Sequence, residues 1–283
     1  MKLRALVVIG LVLSTFAAVA GGADAKNKNA LLTMLIAGSI DIEQDGSVSG
    51  YRLDQPDKLP PAVVQMVAAT VPTWHFEPIV QDGAAVKARS RMNLRVVAKQ
   101  KESGDYIAGI RGASFGSDKP LPGTELTALN ELTPPKYPPP AYRAGVKGTV
   151  YVIVKVGRSG KAEDGVTEQV NLKVVGDARQ MRIARDLLSQ GIEEHAKSWI
   201  FRPPTRGNFA TRQFWLVRVP VAFSFEQDKP VAYGEWELYV PGPRKEAPWV
   251  DKQDAGGGSD AILAGTMHAV GSGPRLITPL TQG

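Results

Sequence analysis

The chain has 283 residues, 43% of them hydrophobic and 22% charged, which is ordinary globular usage and enough for about two domains. The net charge of +6 is modest and scattered, so nucleic acid is not an expected partner. Cysteine is absent, which excludes disulfides, thiol catalysis and cysteine-based zinc sites.

The N-terminus reads as an export signal. Lys2 and Arg4 precede an uncharged apolar run from Ala5 to Ala20, and small-x-small sites follow at Ala18-Val19-Ala20 and Ala23-Asp24-Ala25. Residues 1–25 are therefore expected to be a cleaved signal peptide, which places the mature chain in the periplasm. The run is shorter than the roughly 20 residues that span a bilayer. If it is not cleaved, it anchors the chain to the inner membrane.

Beyond the leader, one pattern occurs twice. Gly38-Ser39-Ile40-Asp41-Ile42 and Gly148-Thr149-Val150-Tyr151-Val152 both alternate as strands do. A glycine turn follows each, Asp45-Gly46 in one and Ser159-Gly160 in the other, then a second strand. A helix comes next. Pro60-Pro61 marks the start of the first, where a missing N–H costs little. Its apolar stripe is expected at Val64, Val67, Val71 and Trp74. The second helix carries its stripe at Met181, Ala184, Leu188, Ile192, Ala196 and Trp199, with Gly191 as a weak point and Arg179, Arg182 and Arg185 mostly off the stripe.

Each helix ends in the same punctuation: Trp74-x-Phe76-x-Pro78 and Trp199-x-Phe201-x-Pro203. The Trp closes the apolar face, the Phe enters the core from extended chain, and the Pro stops the helix. These aromatics are read as core. Gly83 or Gly207 then turns the chain into a last strand, Ala88 to Val97 or Arg212 to Phe225. Strand, strand, helix, strand predicts an antiparallel sheet with one helix packed on it, an α+β fold built twice. The modules span 30–98 and 134–228. Residues 99–133 read as a linker. In 229–283, Glu235 to Val240 reads as one short strand, and from about 241 a mostly disordered tail is expected, with one apolar cluster at Pro274 to Leu280.

The second unit, together with Pro135-Lys136-Tyr137-Pro138, Ala141, Gly145, Gly148 and the closing Val217-Arg218-Val219-Pro220-Val221-Ala222-Phe223, resembles the C-terminal domain of the TonB family. The first unit is similar to it as well, but has no Tyr-Pro opening. The resemblance implies a periplasmic module that engages an envelope or outer-membrane protein, a TonB-dependent receptor among them, by adding a partner strand to its sheet edge. An exposed edge offers unpaired N–H and C=O groups whatever the family name. The expected edge is Gln213, Phe214, Trp215, Leu216, Val217 and Arg218, continuing to Val219, with Tyr137 and Pro138 beside it. Edge pairing between copies would give a homodimer.

The apolar run 5–20 lacks the histidine of the family's motor-coupled helix, and neither unit follows a long Pro-rich spacer. A binding role is therefore expected ahead of the alternative, an anchored energy transducer for receptor-dependent uptake. No catalytic residue, cofactor or metal is expected. There is no G-x-S-x-G elbow and no phosphate loop, and His75, His195 and His268 have no ligand spacing.

Overall fold

The computed structural model describes residues 30–81, 83–117, 122–250 and 260–280. The expected signal peptide lies outside the described residues. In chain order the elements are β1 (Leu31–Ile42), β2 (Val48–Leu53), α1 (Pro61–Thr70), β3 (Val80–Gln81), β4 (Ala84–Ala85), β5 (Ala88–Gln100), β6 (Tyr106–Gly116) and β7 (Thr127–Ala128). They continue with α2 (Pro139–Arg143), β8 (Gly148–Gly157), β9 (Ala162–Leu172), α3 (Ala178–Ser189), α4 (Ile192–Ala196), β10 (Phe201–Arg202), β11 (Phe214–Phe223), β12 (Glu237–Tyr239) and β13 (His268–Ala269). The sheets are antiparallel and the helices few, an α+β fold.

The first sheet runs β12-β1-β5-β6, with β2 paired to the far half of β1. The second runs β13-β11-β8-β9. In both, a hairpin is followed by a helix and by a strand that returns beside the hairpin's first strand. α1 packs on the first sheet around Val63, Val67, Val71, Trp74 and Phe76, with Met34, Ile36, Ile40, Leu94 and Phe115. The expected stripe is corrected by one position, since Val63 is buried and Val64 only partly so. A 4-4-3 spacing carries the face better than 3-4-3 because Val71 already lies in a short turn of tighter helix after α1. The second core holds the whole expected stripe, from Met181 to Trp199. Gly191, at φ 74°, splits that helix into α3 and α4.

One local clasp recurs. The Phe76 N–H donates to the Gly46 carbonyl at 2.8 Å, and the Phe201 N–H to the Gly160 carbonyl at 2.7 Å. Both glycines have positive φ, and a Cβ on either would sit 2.0 or 2.2 Å from the facing Phe carbonyl oxygen. The hairpin turn and the Trp-x-Phe-x-Pro segment are thus a fitted pair, which ties the hairpin to the end of the helix.

The regions read as linker and tail are built into the sheets. β6, from within 99–133, pairs along β5 from Arg91↔Gly116 to Gln100↔Tyr106. β12 pairs with β1, and the next residue, Val240, bridges Leu172 of β9, so one short segment joins both sheets. Residues 241–250 and 260–270, expected to be mostly disordered, cover the face of the second sheet opposite α3. There Ala247 and Val270 are buried against Ile153. Phe76 bridges Leu276, and Ile277 donates to the His75 carbonyl at 2.8 Å, so the apolar cluster at 274–280 docks on the first sheet's clasp.

Candidate functional site

β11 is made by alternation. Trp215, Val217, Val219, Val221 and Phe223 point into the helix-covered core and are buried. Of the intervening residues, Leu216 packs beside Ala247 and Val270, and Arg218 stands opposite His268. One backbone side of β11 pairs with β8 over its whole length, from Phe214↔Gly157 to Phe223↔Gly148. The opposite backbone side meets β13 only at Val217↔Ala269 and Arg218↔His268 among the described residues. The Val270 N–H adds one bond to the Leu216 carbonyl, at 2.8 Å. Leu216, Arg218 and Pro220 therefore direct their backbone groups away from β8. Pro220 has no N–H to offer and ends that outer ladder. The expected edge is thus an outer edge, covered in part by the chain's own C-terminal segment.

Gln213 is exposed just before β11. Phe214 lies under the Lys155 ammonium, 5.0 Å from the ring centre. Trp215 is buried, and its Nε1 donates to the Phe209 carbonyl at 2.8 Å. A small cleft beside the edge is lined by Glu125, Leu126, Trp215, Leu216, Ala269 and Val270. Burial raises the Glu125 carboxyl above its ordinary value. Arg218 is buried and grips Glu168 with two bonds, at 2.7 and 3.0 Å, while Arg244 reaches the same carboxylate at 2.8 Å. Burial alone would raise the Glu168 carboxyl, but the bonds and charge of Arg218, joined by Arg244, hold it below its usual value.

Tyr137 and Pro138 do not join this edge. Pro138 is buried at the start of α2. Tyr137 donates to the Val146 carbonyl and packs on Phe223 and Phe225, with ring centres 5.2 and 5.6 Å away. The lead-in feeds the start of β8, and Gly148 pairs with Phe223, so it arrives at the far end of β11 from Gln213. Burial pushes the Tyr137 phenol up to about 12. Trp74, Phe76, Trp199 and Phe201 are buried core residues. Pro78 is exposed and Pro203 partly buried, each just past its clasp.

Sequence reasoning missed a buried polar junction between the sheets. Arg95 of β5 donates to the Asp260 carbonyl at 2.7 Å, to Thr33 Oγ1 at 3.1 Å and to the Tyr151 hydroxyl of β8 at 3.1 Å. The Asp260 carboxylate accepts from Asn171 Nδ2 at 3.2 Å and from the Tyr239 hydroxyl. Burial pushes the Tyr151 phenol up to about 12. Every member is held by neighbours, so the cluster works as a joint. Among the described residues no group of three or more His, Asp or Glu is placed to hold a metal, and no helix is long and apolar enough to cross a membrane.

No family model matches the chain, and no solved structure does. Two curated proteins do: Protein TonB of Xanthomonas campestris pv. campestris strain B100, and Protein TonB of a second strain of that pathovar. Each is 37% identical over 94 residues, 33% of this chain and 35% of the relative. The chain thus spans about a third of the length of the curated relatives it matches. It contains a TonB-like region.

Proposed function

We propose that the chain is a non-enzymatic, exported binding protein that receives an extended segment of an envelope or outer-membrane protein on the outer edge of β11. The observation that carries this reading is the edge itself. Leu216 and Arg218 direct outward backbone groups that the short C-terminal strand β13 and Val270 hold, and among the described residues no strand lies against the outward sides of Phe214 and Ala222. Strand addition would satisfy those groups, with Trp215, Leu216 and the adjoining cleft giving side-chain selectivity. The TonB-like region supports receptor segments of the outer membrane as the first candidate partners. The two hairpin–helix–strand units are, on this reading, divergent copies of one module, and the second binds.

The test is titration calorimetry of the mature chain with synthetic peptides from the periplasmic N-terminal segments of TonB-dependent receptors. Leu216→Pro removes an outward N–H and leaves the β8 ladder intact, as Pro220 already does in the same strand. Binding that weakens at least about tenfold in Leu216→Pro supports strand addition. Binding that ignores the substitution places the partner elsewhere, and no binding by any peptide removes the receptor reading.

A further inference from the structure

The C-terminal segment holds the β11 edge by a small contact with one titratable group inside it. His268 stands directly opposite Arg218 in the β13–β11 pair. Opposite residues of an antiparallel pair share a face, so the imidazole lies against a guanidinium. Around it, β11 contributes Arg218, β9 contributes Glu168, and the strap at 244 contributes Arg244, while β8 presents Ile153 opposite Arg218. The single carboxylate of that group is already shared by both arginines. A proton on His268 would therefore add a third cation to one anion.

We propose that β13 is an acid-released latch: protonation of His268 beside Arg218 loosens residues 268–270 from β11 and uncovers the edge. The consequence for partner binding rests on the function proposed above, but the release itself does not.

The physical argument has two parts. The hold is light, because two residue pairs and the Val270 N–H to Leu216 bond are its backbone content. The penalty is directional. Burial, reinforced by the Arg218 charge, lowers His268 from its ordinary 6.5 to about 4 when the strand is seated. A released His268 regains its ordinary value, so the released form binds the proton more tightly. Seating is then at full strength above pH 6.5, weakens as pH falls below it, and levels off below 4. At pH 5 the difference amounts to about 30-fold in the seating equilibrium. Glu168 is held below its usual range, so His268 is the group of this cluster that responds in that interval.

Amide hydrogen exchange on the mature chain, without any partner, reads the latch directly. After correction for intrinsic exchange, protection of the Val270 amide should fall about 30-fold from pH 7.5 to pH 5, while the Val152 amide in β8 holds. His268→Gln, partly exposed and on a short strand, should keep the fold by near-ultraviolet dichroism and lose the pH response. A Val270 protection that is flat with pH overturns the latch. So does a fall shared equally by Val152, or one that persists in His268→Gln. Because no peptide is present, failure of receptor binding leaves this result standing.

Discussion

The two sheets share a plan and differ at one border. In each, the strand after the helix returns beside the first hairpin strand and leaves its outer side to be dealt with. In the first sheet β6 pairs with that side of β5 from Arg91 to Gln100. In the second, β13 covers Val217 and Arg218 of β11. One border is sealed by a full strand, and among the described residues the other meets β13 over two pairs and the Val270 to Leu216 bond. An unpaired edge is a hazard that folds suppress when it has no use. Suppression along β5 beside lighter cover along β11 supports the proposal that the second sheet receives another strand.

The shared plan can be broken most severely at the clasps. Phe76 and Phe201 are 0% and 2% exposed, and either change to Ala should cost about 3–5 kcal/mol by denaturant unfolding. Phe76 also meets Phe115 of β6 edge-on at 4.9 Å, so its loss should exceed that of Phe201 by about 1 kcal/mol. Equal losses would show that β6 adds a border and no packing.

The junction comes next. Asp260→Ala leaves Arg95 buried with Thr33 and Tyr151 but no carboxylate, and should cost about 3 kcal/mol. Since the network draws on β5, β8 and β9, that loss should lower the unfolding midpoint measured from either sheet. A shift confined to one would mean the sheets fold as separate bodies.

These residues also show what the sequence made readable. The parts of each clasp, turn and aromatic motif, were legible because they are short, local patterns with fixed spacing, but the bond that joins them was not. Arg95 was not, because in an alternating strand an arginine reads as solvent-facing, and only the second sheet with Asp260 buries it. β12 was legible as the short strand expected within Glu235 to Val240, though its pairing with β1 was not, and β13 spans two residues, too short for any periodicity. The linker read as irregular although it holds the eleven-residue β6, because its scattered Gly, Ser and Asp show no sustained alternation. The edge at 213–218 was legible as strand, but its cover was not, and the lead-in at Tyr137 was put at the wrong end of it because register comes from the β8 pairing.

The glycines test whether the clasps are equivalent. Gly46→Ala and Gly160→Ala each force a side chain to positive φ and against a carbonyl oxygen, and each should cost about 2 kcal/mol in thermal unfolding. A cost near zero at either site would mean that its turn yields, and that the two hairpins are held differently.

The smallest expected effect separates the helices. α1 opens on Pro60 and Pro61 without a side-chain cap. α3 opens on a capping box: Asp177 accepts the Gln180 N–H at 2.8 Å, and the Gln180 side chain accepts the Asp177 N–H at 2.9 Å. Proline fixes the start of α1 by removing a donor that would have lacked a partner, whereas α3 keeps its donors and needs an acceptor. Asp177→Ala should therefore cost about 1 kcal/mol. Because α3 packs on the second sheet, local exchange should rise in residues 178–181 and leave α1 unchanged. The β11 edge lies on the far side of β8 from β9, where α3 docks, so peptide binding should survive the loss of the cap. A binding defect in Asp177→Ala would show that the helix end, and not the edge alone, sets the shape that a partner strand meets.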